Sequence, residues 1–443
     1  MDTLINSIFK HAAALAVAVV MVTVPAVSVC AGEAADAIGT QELSDYIDEV
    51  MKTDNATGLS MVAVSGDDVA YLNRGYADPS SKTPMTSDTP VMIGSCTKGF
   101  TALAVLLLEE RGLLSTDDSI SDYISWWNVT YQGEAADVKI WHVMNHCAGI
   151  PNGPTMSAVE FGTDHSLTEK TARIAENFDL ANAPGHISFL SRQVKYQFQA
   201  MKGSEGEGHL VTTLSDMSLW LKAQMGLLDL PDDLTNAIAA SHVASASHNV
   251  LSGDSNYFNG WHIDGNGVMM HTGLNPNYTA AIYIDPVKNI GVVVVCNCVS
   301  NAPENVADAC FGILEGTSHY QKNEPSSGYT MNLIGTVMSC IFLVVAVLQM
   351  ILIATQRKKF TKKGLTGKGI STGSVIKAAI FLALFVLSWF LPYGLSALIG
   401  YTSFGYKMFY FWGYWSVILM LVMLSVVFLF AFIRSVRGVL LRR

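Results

Sequence analysis

With 443 residues, half of them hydrophobic and 14% charged, the chain is long enough for a full globular domain and more, and its formal charge of −10 argues against a nucleic-acid partner. The charge is uneven: from Tyr329 onward there are twelve Lys or Arg and no Asp or Glu, whereas the first 328 residues hold fifteen basic and thirty-seven acidic residues, a formal −22. Two different objects are joined near Ser326-Ser327-Gly328, and neither carries a metal-ligand spacing, a dinucleotide fingerprint or a phosphate loop, so no metal and no cofactor is expected.

In chain order, Lys10 and His11 precede an apolar run from Ala12 to Val29, and Val29-Cys30-Ala31 offers small residues for cleavage, so residues 1–31 are predicted to be a signal peptide. An uncleaved N-terminal anchor is the competing reading, and Val29 is too bulky for lipidation at Cys30. Gly58 to Val64 and Val69 to Tyr76 are predicted strands joined by Gly66-Asp67-Asp68. Asp88 to Gly94 is extended and leads into a helix ending at Arg111, and Trp141 to Asn145, Thr168 to Asn177 and Ser215 to Met225 are predicted helical; Gly203 to Gly208 reads as a loop. Tyr278 to Ile284 and Gly291 to Cys296 form a second strand pair. Strands at both ends with helices between them predict an α+β domain over 32–325, one antiparallel sheet covered by helices that also form an inserted lobe. Its five cysteines cannot complete a disulfide framework, and Cys296 and Cys298, two apart on one strand, read as buried thiols.

The tail, 326–443, contains three uncharged stretches, Met331 to Thr355, Ala378 to Tyr406 (which includes Pro392) and Met408 to Ile433, predicting membrane helices at about 331–355, 378–400 and 410–433. Arg357, Lys358, Lys359, Lys362, Lys363 and Lys368 crowd the first connecting loop, and Arg434, Arg437, Arg442 and Arg443 crowd the C-terminus, which places both in the cytoplasm. The reading is a multi-pass cell-membrane protein with an extracytoplasmic domain, a cytoplasmic C-terminus and anionic lipid against the basic loop.

Chemistry concentrates at Ser95-Cys96-Thr97-Lys98. Residues three apart share one helical face, so a desolvated Lys98 amine can reach the Ser95 hydroxyl and activate it as a nucleophile. At a helix N-terminus the backbone amides also favour a developing oxyanion. A serine cap on an ordinary helix is the plainer alternative, and the same tetrapeptide pattern recurs at Ser374 to Lys377, where it only opens an apolar segment.

Further segments resemble the serine β-lactamase-related family, in its branch of class C β-lactamases, D-alanyl-D-alanine carboxypeptidases and esterases. Gly94 to Ala102 is similar to the nucleophile motif with its flanks, Val143 to Pro151 to a Leu-Leu-x-His-x-Ser-Gly-Leu-Pro loop, Gly208 to Met217 to a Gly-x-x-x-Ser-Thr-x-x-Asp-Met segment, and His271-Thr272-Gly273 to the third motif. The resemblance implies a β-lactamase/transpeptidase-like fold, an acyl-enzyme on Ser95 with Lys98 as base, and a small-molecule or peptide substrate held by His271, Thr272 and Gly273. One motif departs. Where the family carries Tyr-x-Asn after Pro-Gly, this chain follows Pro184-Gly185 with Leu190-Ser191-Arg192. Tyr196 lacks the asparagine, and Tyr257-Phe258-Asn259 fits but falls where the family has a structural segment, so it is set aside. The distance from Arg192 to Gly206 also implies a shortened helical lobe, from divergence or from an internal deletion. Two functions are therefore carried: a membrane-anchored serine hydrolase acting on amide or ester bonds, and a catalytically impaired homologue that binds peptides or penicillins, or senses them.

Overall fold

Nearly continuous apolar runs around Val62 and Val293 build the centre of a sheet whose two faces are both covered. The structure is a computed structural model and describes residues 32–124, 127, 130–148, 185–190, 192–196, 205–243, 251–252, 255–317, 319–364, 369–398 and 405–442. Two compact units emerge, Met1–Pro151 with Val159–His186 and Lys195–Ser326, and Asn152–Ala158 with Ile187–Val194 and Ser327–Arg443.

The first unit begins with helices α1 (Glu33–Ile38) and α2 (Gln41–Thr53) and strands β1 (Gly58–Ser65), β2 (Asp68–Asp78), β3 (Thr83–Pro84) and β4 (Val91–Met92). Then come α3 (Thr97–Glu110), α4 (Ile120–Tyr123), the small β5 and β6 pair (Thr130–Tyr131, Glu134–Ala135) and α5 (Ile140–Met144). A hairpin, β7 (Gly185–Phe189) and β8 (Arg192–Tyr196), precedes α6 (Glu205–Gly208), β9 (Val211–Thr212), α7 (Leu214–Gln224) and α8 (Asp232–Ser241). Strands β10 (Leu251–Ser252), β11 (Ser255–Phe258), β12 (Trp261–Ile263), β13 (Met269–Asn275), β14 (Tyr278–Asp285) and β15 (Ile290–Cys296) lead to α9 (Ala302–Leu314).

Nine strands pair in the order β10-β11-β12-β13-β14-β15-β1-β2-β3, each pair antiparallel, so the two ends of the domain meet where β15 lies against β1, Val62 opposite Val293. The expected sheet built from both ends is what the chain forms. Leu59, Met61, Ala63, Val292, Val294 and Cys296 point to one face and pack with α1, α2 and α9. On the other face α7 lies so close that a β-carbon on Gly291 would stand 2.9 Å from a Leu221 methyl carbon. Thr213 caps α7 by accepting from the Asp216 nitrogen at 3.0 Å. The segment expected to be a loop, Gly203 to Gly208, ends in the helical turn α6, and the predicted helix Thr168 to Asn177 lies outside the described residues, as does most of the segment from which the shortened lobe was inferred.

Asp54, at the C-terminal end of α2, is fully buried and accepts from the Ser300 hydroxyl (2.7 Å), the Asn301 nitrogen (2.9 Å) and the Ser326 nitrogen (2.7 Å). It ties the start of α9 to the end of the domain. Asp54→Ala would leave these donors unpaired, so we expect a loss of about 3 kcal/mol, read as a fall of about 5 °C in the domain's thermal midpoint; an unchanged midpoint would show that water replaces the carboxylate at no cost.

The second unit contains α10 (Ser327–Lys362), α11 (Thr372–Ser388), α12 (Leu391–Leu398), α13 (Tyr406–Phe411) and α14 (Trp415–Leu440). Among the described residues two helices, α10 and α14, are long and apolar enough to cross a bilayer. The expected continuous helix over 378–400 is corrected: α11 stops at Ser388, and a new helix starts at Leu391 with Pro392 in its first turn, where a missing N–H costs nothing. Small and polar residues join the long helices. Asn332 donates to the Gly413 carbonyl and accepts from the Ser416 nitrogen, both at 3.2 Å, and Ser388 and Ser425 hydroxyls meet at 2.8 Å. Residues of the β7–β8 hairpin belong to this unit as well: the Leu190 nitrogen donates to the Ser416 hydroxyl at 3.1 Å, and Phe189 meets Trp415 edge-on.

Candidate active site

Two glycines set back to back bring the reactive turn against the sheet. Gly94 has φ +55 and opens a single 3₁₀ turn, Gly94–Cys96, from which α3 continues. A β-carbon on Gly94 would lie 2.5 Å from the Leu274 nitrogen, and one on Gly273 would lie 2.0 Å from the Ile93 carbonyl oxygen. The turn is fixed by the Thr97 hydroxyl donating to the Gly94 carbonyl (2.7 Å) and by the Cys96 thiol on the His271 carbonyl (3.4 Å).

Ser95 sits half-buried in this turn, with Lys98 Nζ 2.9 Å from its Oγ. The second partner of Nζ is the Glu207 carbonyl in α6, at 2.8 Å. Burial holds the Lys98 amine below the usual lysine range, opposed by the Glu207 carboxylate and by Cys96. A neutral amine has two N–H groups and one lone pair, so it can donate to Glu207 while accepting the Ser95 proton. Segment 206–212 is held over the pair: Leu210 donates to Thr97 Oγ1 (3.2 Å), Ile93 donates to the Leu210 carbonyl (3.2 Å), and β9 pairs with β4.

β13 carries the third expected motif. His271 and Gly273 are buried, and Thr272, by the pleat of the strand, alternates away from them. His271 Nδ1 lies 2.6 Å from the Thr272 carbonyl, which can only accept, so Nδ1 bears the proton and Nε2 is the free acceptor. Burial pushes the imidazole down to about 4, with Lys98, His262 and His146 adding repulsion, so His271 is neutral at physiological pH. Asn275, four residues after His271 on the same strand, donates to the Gly208 carbonyl at 2.9 Å. Among the described residues no group of three His, Cys, Asp or Glu is placed to hold a metal, and Cys96, Cys147, Cys296, Cys298 and Cys310 are unpaired thiols.

Thus Lys98 reaches Ser95, and the strand that carries His271 and Gly273 lies against their turn. The β-lactamase family model matches residues 43–188 and 188–313, more than half of the chain. The chain belongs to the β-lactamase family. Protein flp of Staphylococcus aureus (strain COL) is 23% identical to it over 317 residues, covering 58% of this chain and 63% of that relative, so the chain spans less than two thirds of the relative's length. Penicillin-binding protein 4* of Bacillus subtilis (strain 168) is 34% identical over 95 residues, 21% of this chain and 20% of its own. An octameric penicillin-binding protein homologue from Pyrococcus abyssi shares the fold, with a TM-score of 0.53 and 22% identity over 62% of this chain and 77% of that one.

Leu190, which the resemblance sets opposite the family's tyrosine, makes the turn of the β7–β8 hairpin at φ +49, and its side chain has no proton-accepting group. Tyr257, set aside on sequence grounds, stands 5.9 Å from His271 between ring centroids. Sequence reasoning also missed the Glu207 carbonyl, because a backbone oxygen leaves no residue-type signal.

Proposed function

We propose that this chain is a membrane-anchored serine hydrolase of the β-lactamase-related type that forms an acyl-enzyme on Ser95 with amides or esters. The observation that carries the reading is the 2.9 Å contact between Ser95 Oγ and a desolvated Lys98 amine at a helix start. Lys98 takes the hydroxyl proton as Oγ adds to the carbonyl carbon, the Ser95 and Leu274 nitrogens flank the oxyanion, and collapse breaks the bond to the amine or alcohol, which leaves with the proton that Lys98 returns. His271, Thr272 and Gly273 form the strand along which substrate is held. The proposed organisation is a signal segment over 1–31, an extracytoplasmic domain over 32–325 and a tail over 326–443, with the C-terminus cytoplasmic; that topology takes an odd number of crossings, α10, α14 and the broken pair α11–α12 between them, and the basic residues after α10 and at the end of α14 support it.

Purified full-length protein in detergent should be labelled by a fluorophosphonate, and by a fluorescent penicillin if cell-wall peptides are the substrates, with all labelling lost in Ser95→Ala. An unlabelled, folded wild type would remove the hydrolase reading. A second reading is favoured by Leu190 standing where the family tyrosine belongs: acylation without turnover, giving a peptide- or penicillin-binding protein or a sensor. Intact mass after label removal separates the two, since a persistent acyl adduct marks the second.

A further inference from the structure

A phenol and two imidazoles with no assigned task, Tyr257, His146 and His262, gather beside His271. Tyr257, buried on β11, has its ring centroid 4.7 Å from His146, 4.9 Å from His262 and 5.9 Å from His271, and the last two are 5.6 Å apart. The Tyr257 hydroxyl is 3.1 Å from His146 Nε2. His146 follows α5 with φ +57, a backbone conformation that residues other than glycine seldom hold unless their surroundings impose it. Those surroundings are visible: buried Asn145 accepts from the Asn259 nitrogen at 3.0 Å, and the next residue, Gly260 (φ +82), lies so near α3 that a β-carbon there would stand 2.6 Å from the Lys98 carbonyl carbon. The imidazole–phenol pair is therefore built onto the backbone that carries Lys98.

We propose that Tyr257 and His146 are positioning residues of the acylation site: the phenol donates to His146 Nε2, fixes that imidazole as its neutral Nδ1–H form, and leaves Lys98 as the group that changes charge when Ser95 is deprotonated. The proposal rests on the serine-hydrolase reading. Burial raises the Tyr257 phenol, so it keeps its proton and acts as the donor. Among the described residues the groups facing His146 are Tyr257 on β11, Lys98 on α3, His262 on β12, His271 on β13 and Glu207 on α6; desolvation, Lys98 and His262 push its pKa down, and Glu207 pulls it up. The bond to Tyr257 favours the same neutral form, because Nε2 must keep its lone pair to accept it. His146 has a solvent-exposed side, so its titration is open to observation.

The test is nitrogen NMR of the full chain in detergent with ¹⁵N-histidine, His146 being assigned by its loss in His146→Gln. In wild type, His146 should be the Nδ1–H tautomer and titrate below the ordinary 6.5. Tyr257→Phe keeps the ring contacts and removes one hydrogen bond to the neutral form, so the His146 titration should move up by about one unit. Fluorophosphonate labelling from pH 6 to 9 should then follow one ionisation in wild type, two in Tyr257→Phe, and one again in the double variant with His146→Gln. A wild-type Nε2–H tautomer, an unmoved titration in Tyr257→Phe, or a uniform loss of labelling across pH would overturn the proposal. The wild-type tautomer is read without any variant, so misfolding of Tyr257→Phe leaves the proposal exposed. Absent labelling of wild type removes the hydrolase reading and the acylation role with it, whereas the spectra decide the hydrogen bond by themselves.

Discussion

Replacing Lys98 with alanine is expected to slow acylation of Ser95 by about 10²–10⁴-fold, the range general-base assistance supplies, and to flatten its dependence on pH. Lys98 Nζ lies 2.9 Å from the Ser95 hydroxyl, and the Glu207 carbonyl, the other group on that amine, cannot take up a proton at neutral pH. Burial lowers the Lys98 pKa, so the free-amine fraction grows as pH rises through that lowered value and reaches its plateau at lower pH than an exposed lysine would. Wild-type labelling should accordingly climb with pH and level off early. The Lys98→Ala profile should be low and flat, with the fold unchanged. Labelling of Lys98→Ala at the wild-type rate would show that Ser95 is activated by another group, or is not activated at all.

The contact between Lys98 and Ser95 was legible because it is local: three residues of spacing on a helix suffice to place an amine on a hydroxyl. The sheet was legible because Gly58 to Val64 and Gly291 to Cys296 carry the apolar, β-branched signature of strands buried on both faces. What escaped notice depends on distant segments. Glu207 acts through its carbonyl, from a glycine-rich stretch whose composition points to a loop. Tyr257 reaches His146 across 111 positions of chain, and no local pattern encodes that approach. In the tail the misread element was the stretch 378–400, where apolar composition argued for one helix and Pro392 marked the start of a second.

Gly273→Ala should disable the site more thoroughly than its single added methyl group suggests. The new β-carbon would overlap the Ile93 carbonyl oxygen at 2.0 Å and press on the Gly94 α-carbon at 3.2 Å, and all of these atoms are backbone, so no side chain can swing aside. Either β13 or the Ser95 turn must retreat, and a displacement of about 1 Å at a reacting centre can cost about 100-fold in rate. Labelling of Ser95 should fall by at least that factor, with a stability loss of about 1–3 kcal/mol from overpacking. Gly265→Ala is the control: a β-carbon there meets nothing within 4 Å, so stability should move by no more than about 0.5 kcal/mol. The motif glycine of β13 is then required for how closely the strand approaches the nucleophile turn rather than for any contact of its own with substrate. Wild-type labelling by Gly273→Ala would mean that the strand and the turn can separate without harm to the chemistry, and the reading of a preorganised Ser95 site would fall with it.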